Sequence, residues 1–169
     1  MNNEAINNSQ DLSEDNVDKR LTRELQLVGA GGAQFGIFTE EISAIVRWRE
    51  PAPLPYAPRS ALGVVSIEGR MLTVLDLARL QVSEAISDAP RPSSGHIVGL
   101  RGDEQLALAV DSVGEEIELA DSDFQSKPET EGTLVLGVLH RNGAEINILN
   151  LNKLFLAAIQ GHDRRRRRF

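Results

Sequence analysis

Short apolar runs alternate with glycine- or proline-marked breaks along most of the chain, a rhythm of strands rather than of long helices. Leu25-Gln26-Leu27-Val28 and Gln34-Phe35-Gly36-Ile37-Phe38 flank Gly29-Ala30-Gly31-Gly32, and this predicts a hairpin. Ile42 to Trp48 reads as a further extended or partly helical run. Pro51-Ala52-Pro53-Leu54-Pro55-Tyr56-Ala57-Pro58 follows. Proline fixes φ and donates no backbone hydrogen bond, so this segment predicts a stiff extended loop. Gly63 to Ile67, a turn at Glu68-Gly69 and Met71 to Leu75 predict a second hairpin. Asp76 is placed to cap a short helix carrying Leu77 and Leu80. Ser83 to Gly95 reads as a surface connection.

The same order then returns. His96 to Leu100, a turn at residues 101–103 and Gln105 to Val110 predict a hairpin, and Val113 to Leu119 a further strand. Asp121 to Gly132 is polar and reads as loop. Leu134 to Leu139, Asn142-Gly143 and Ile146 to Leu149 predict another hairpin, because Asn-Gly favours the type I′ turn. Asn150 is placed to cap a last helix with Leu151, Leu154, Phe155, Ala158 and Ile159 on its apolar face, and Gly161 sits where a C-terminal cap belongs.

This return is an internal repeat. At an offset of 74, Gly63 meets Gly137, Gly69 meets Gly143, Leu72 meets Ile146, Leu75 meets Leu149 and Asp76 meets Asn150. At an offset of 71, Gly31 meets Gly102, Gln34 meets Gln105 and Ile37 meets Leu108. Turn glycines, caps and apolar positions match together, which points to duplication of a β-unit with about five strands and one helix. Sheets that small leave long open edges unless they close. The expected fold is therefore mostly β: two small closed barrels of about five strands each, side by side with short helices, one over about 25–82 and the other over about 96–160. Two such units leave a groove in which a partner can bind.

Composition narrows the chemistry. The chain has 169 residues, 41% of them hydrophobic but only 4% aromatic, so the core must rest on Val, Ile, Leu and Ala. A formal net charge of -7 repels phosphate backbones and anionic lipid. No cysteine is present, which excludes disulfides and thiolate metal sites. Residues 1–22 are polar and acidic without a signal-peptide core, and are expected to be disordered. No apolar run approaches the ~20 residues that span a bilayer, so the cytoplasm is the expected compartment.

With these segments in order, the sequence resembles the CheW-like domain of bacterial chemosensory adaptors. The resemblance runs from Phe35-Gly36-Ile37 through Ile42, Ile45, the loop Pro53 to Pro58, Gly63-Val64-Val65-Ser66-Ile67-Glu68-Gly69 and Leu72-Thr73-Val74-Leu75-Asp76-Leu77. The second half adds Leu108 to Asp111, Val113-Gly114, Gly137 and Ile148-Leu149-Asn150-Leu151. It covers roughly Leu25 to Ile159 and places a CheW-like domain at 23–161. It implies two intertwined five-stranded barrels and an adaptor rather than an enzyme. The implied partners are a chemoreceptor cytoplasmic tip, the regulatory domain of a histidine autokinase, and other CheW-like domains. The implied partner-binding residues are Gly63, Val64, Val65, Ser66, Glu68, Gly69 and Arg70 from the first half, with Val110, Asp111, Val113 and Gly114 from the second. The receptor tip would lie between the barrels as an amphipathic helix in a groove. Two departures stand out: Glu68 where the family's Leu-Arg-Gly places arginine, and Ala44 where many members carry glutamate. A reversed charge at a contact re-selects partners, because like charges suppress the wrong one; drift in a surface turn is the plainer reading.

Catalysis finds no constellation. His96, His140 and His162 are scattered, no nucleophile elbow or phosphate loop occurs, and no cofactor or metal site is expected. Asp76 and Asn150 are better read as caps than as a paired site. Glu115-Glu116-Ile117-Glu118 reads as a solvated strand face. Trp48 and Tyr56 are candidate interface anchors, with core packing under the loop the alternative for Trp48. Arg164 to Arg168, in a basic tail over 162–169, is either a structureless tail or a clamp for an acidic partner, RNA or anionic lipid. The runner-up function is thus a small-barrel nucleic-acid binder using that tail, against which the acidic, aromatic-poor body argues.

Overall fold

The computed structural model describes residues 22–81, 93–102, 104–120, 123–126 and 134–156. The expectations for the N-terminal segment up to residue 21, most of the connection 83–95, Ala158, Ile159, Gly161 and the basic tail lie outside the described residues.

The predicted hairpins form. Strands β1 (Arg23–Ala30) and β2 (Ala33–Phe38) pair, and a 3-10 turn (Thr39–Glu41) leads into β3 (Ile42–Arg47). After the proline loop, β4 (Ala61–Ile67) and β5 (Arg70–Asp76) pair and run into helix α1 (Leu77–Gln81). The second half gives β6 (His96–Leu100) with β7 (Leu106–Val110), then β8 (Ser112–Leu119), a two-residue β9 (Gln125–Ser126), and β10 (Val135–Arg141) with β11 (Ala144–Leu149). Residues 151–156 are helical. Asp76 Oδ1 accepts a hydrogen bond from the Arg79 amide at 3.3 Å, and Asn150 Oδ1 accepts one from the Lys153 amide at 3.2 Å, so both are caps.

The repeat extends to register. Ala61 pairs with Leu75 and Gly63 with Val74, with a bulge between; Val135 pairs with Leu149 and Gly137 with Ile148, with a bulge at the matching place. The turn pairs agree as well: Glu68 and Gly69 have φ of 50° and 78°, Asn142 and Gly143 of 52° and 77°. Both are turns in which two consecutive residues take positive φ.

The sheets, however, do not coincide with the sequence halves. One has the order β8-β1-β2-β11-β10-β9, the other β3-β6-β7-β5-β4. Hairpin β1–β2 joins the second-half strands through a parallel β2–β11 pairing, and hairpin β6–β7 joins the first-half strands through a parallel β7–β5 pairing. Each unit therefore borrows its N-terminal hairpin from the other half. The hydrogen-bonded orders end at β8 and β9 in one sheet and at β3 and β4 in the other.

Among the described residues this exchange produces three apolar cores. Leu62, Val65, Ile67, Leu72, Val74, Ile97, Ala107 and Ala109 form a cluster on the five-stranded sheet, and Leu25, Phe38, Ile117, Leu119, Leu139, Ile146 and Ile148 form one on the six-stranded sheet. Between the sheets lies the largest cluster, including Phe35, Ile37, Val98, Leu100, Leu108, Val110, Leu151 and Leu154. Strand β7 is buried at every position because it faces a core on each side.

Candidate functional site

The first-half group sits on β4, its turn and the start of β5. The alternation of β4 sends Leu62, Val65 and Ile67 inward, Val65 to 5% exposure, and leaves Val64 half-buried and Ser66 exposed. On β5, Met71 stands opposite Ser66 and is 57% exposed. Gly63 has φ of 148°, and a Cβ there would run into the Ala52 carbonyl oxygen. Its role is to let the proline loop lie on β4, where Ala52 and Val64 exchange backbone hydrogen bonds at 2.9 and 2.8 Å. Gly69 meets nothing within 4 Å and serves the turn alone. Glu68 is exposed at the tip, and Arg70 Nη2 donates to the Gly102 carbonyl at 2.9 Å, tying this turn to that between β6 and β7. Arg49 Nη1 donates to the Ser66 carbonyl at 3.2 Å.

The second-half group lies where β7 passes into β8. Val110 is 2% exposed and belongs to the central core, and Val113 packs against it. Asp111 is exposed, with Oδ2 accepting from the Gly31 amide at 2.8 Å. Gly114 is exposed, and its carbonyl accepts from Gln26 Nε2 at 2.8 Å. That amide satisfies the bulge of β1 against β8, which accounts for a glutamine buried to 4%. No hydrogen bond or ion pair joins the two groups among the described residues; β5 lies between β4 and β7 in the sheet. Val65 and Val110 face inward into the cores, a consequence of strand parity that apolar spelling alone does not reveal.

Trp48 is half-buried and packs against the core of the five-stranded sheet, whereas Tyr56 is 94% exposed. Ala44 is half-buried against the same core as Trp48. Ile45 on β3 and Leu54 in the proline loop are further exposed apolar side chains.

A cleft of about 470 Å³ opens between β8, β9 and β10, lined by Glu118, Asp123, Gln125, Leu139, His140 and Arg141. Glu116 and Glu118 are exposed on the outer side of β8, as expected for a solvated face. Burial raises Glu41 above the ordinary carboxylate range, partly offset by Arg23, and its Oε2 is buried without a hydrogen bond. Asp76 is likewise raised by burial, against hydrogen bonds from its own helix and the Arg79 guanidinium 3.1 Å away. Arg23 stacks on Phe38 and pairs with Glu40 at 2.6 Å. Among the described residues no group of three or more His, Cys, Asp or Glu could hold a metal ion, and no helix is long and apolar enough to cross a membrane.

The family described as the CheW-like domain matches residues 24–158. A chemotaxis protein CheW from Rhizobium meliloti is 30% identical over 150 residues, 83% of this chain and 94% of that protein. Protein FrzA of Myxococcus xanthus is 28% identical, spanning 77% of this chain and 83% of its own. The crystal structure of the scaffolding protein TtCheW from Thermoanaerobacter tengcongensis superimposes with a TM-score of 0.67 at 16% identity, covering 77% of this chain and 90% of that one. The nucleic-acid alternative is not supported by these likenesses.

Proposed function

The chain belongs to the CheW-like domain family, and from that premise we propose that it is a chemotaxis adaptor, a cytoplasmic scaffold that acts by binding rather than by catalysis. It couples a chemoreceptor's cytoplasmic tip to the regulatory domain of a histidine autokinase and associates with other CheW-like domains. The observation that carries this reading is the family match over 24–158, which takes in both halves of the duplicated fold.

Each sheet, in this reading, curls into a small SH3-like barrel. The closing pairs support it. The chain leaving β3 reaches β4 from the far side through Ala52–Val64, and the chain leaving β8 reaches β10 through Gln125–Val138, 74 positions beyond Val64. Arg141 and Glu115, 3.9 Å apart, also bring β10 to β8. The bulges at four matching places supply the bend a closed sheet needs.

The contact surface we assign is Val64, Ser66, Glu68, Gly69 and Arg70 on one side and Asp111, Val113 and Gly114 on the other, with Gly63, Val65 and Val110 shaping it from within. Glu68, at the turn tip, selects partners by charge. Pull-downs with Glu68→Arg against a panel of receptor tips and autokinase regulatory domains test this. A changed set of captured partners is expected; unchanged partners at unchanged affinity remove Glu68 from the surface.

A further inference from the structure

The outer side of the six-stranded sheet carries more negative charge than its fold requires. Glu24 on β1 stands directly opposite Glu118 on β8, an arrangement that weakens an antiparallel ladder. Glu116 lies beside them, opposite Gln26. At the offset of 71 that equates β3 with β8, Glu116 and Glu118 replace Ile45 and Arg47, so the same structural positions accept an apolar or basic side chain. Glu118 and Asp123 continue the acidic side into the cleft beside β9 and β10. The basic side chains that line the cleft each stand beside another carboxylate: Arg141 is 3.9 Å from Glu115, and His140 is 3.9 Å from Glu145. Among the described residues, the row Glu24, Glu116 and Glu118 has no paired counter-charge.

The chain itself contains one. Arg164 to Arg168 are five consecutive guanidinium groups, beginning eight positions after the last described residue, Leu156. At roughly 3.3–3.6 Å per extended residue they can reach about 26 Å or more from the end of the helical segment. The six residues of β11 that separate the helix from the cleft end of the sheet span about 20 Å. Guanidinium also matches carboxylate in shape, as a two-pronged donor facing a two-oxygen acceptor. A tether this short holds the arginines at a high effective concentration around their own sheet, which favours docking within one chain over docking between chains.

We propose that Arg164 to Arg168 dock on the acidic outer face of β8 and β1 and in the adjoining cleft of the same molecule. The tail neutralises the Glu24–Glu118 pair and covers that side of the sheet. This goes beyond the adaptor role and does not depend on it.

The absence of cysteine allows a unique spin label in the full chain through Phe169→Cys. Amide resonances of Glu116, Glu118 and Gln125 should broaden in the labelled chain, independently of protein concentration. The broadening should be lost when salt rises from roughly 0.1 M to 1 M, where the screening length falls from about 10 Å to about 3 Å. It should also be lost in Glu116→Lys/Glu118→Lys, with the amides of β5 unshifted as the control for folding. No broadening of these amides overturns the proposal. So does broadening found only between separate molecules, in a mixture of spin-labelled and isotope-labelled chains. Broadening that survives the charge reversal in a folded variant overturns it equally.

Discussion

Gly63 shows how much one backbone position can carry. Its φ of 148° lies outside the range L side chains readily take, and the Ala52 carbonyl fills the place of a side chain. Gly63→Ala is expected to lower stability by on the order of 1–3 kcal/mol in urea denaturation, since strain and a lost loop contact act together. Gly69 meets nothing within 4 Å, so alanine there bears only the positive-φ cost. Glu41 behaves differently. Its pKa is raised by burial, so the folded state resists its ionisation and loses stability as pH rises through the unfolded and then the folded value. Glu41→Gln removes that dependence. Acidification from about pH 7 towards about pH 4.3, the unfolded value, should therefore stabilise the parent relative to the variant. Equal pH slopes of the urea midpoints would remove this account of Glu41.

At the scale of elements, the hairpin exchange couples the two halves. Leu108 is fully buried on β7, in the core between the sheets, while β7 itself pairs with a first-half strand. Leu108→Ala is expected to cost about 2–5 kcal/mol. Probes placed in β4–β5 and in β10–β11 should shift to the same lower midpoint, because neither half retains a complete sheet alone. Separate midpoints would show the halves to be independent. The hairpins, the caps at Asp76 and Asn150 and the repeat were all legible in the sequence, since each rests on local chemistry: turn glycines, short polar caps, strand-length apolar runs. The exchange was not legible from the repeat itself. An offset says which segments are equivalent, while the open edge of β5 is matched equally well by β2 and by β7. The resemblance supplied the word intertwined, and the parallel pairings show what is intertwined. β9 escaped notice because two residues, Gln125–Ser126, carry no pattern. Of the candidate contact residues, the exposed turn at Glu68 could be placed from sequence, but the inward direction of Val65 and Val110 could not, because strand parity depends on bulges at residues such as Gly63.

For the whole molecule, two equivalent sheets with different surfaces fit a scaffold. Duplication supplies two similar platforms, and divergence makes them unlike: Arg47 and Ile45 on one edge strand, Glu118 and Glu116 on its counterpart. A protein of this plan can hold two partners without a catalytic centre, each recognised by a different face. The adaptor role is tested most directly by isothermal titration of the full chain against a histidine autokinase regulatory domain, alone and with the receptor's cytoplasmic tip already bound. Saturable binding in both titrations, with Kd on the order of micromolar, is the result the account predicts. Absence of saturable heat up to about 1 mM in either titration, or binding of one partner that expels the other, would contradict it.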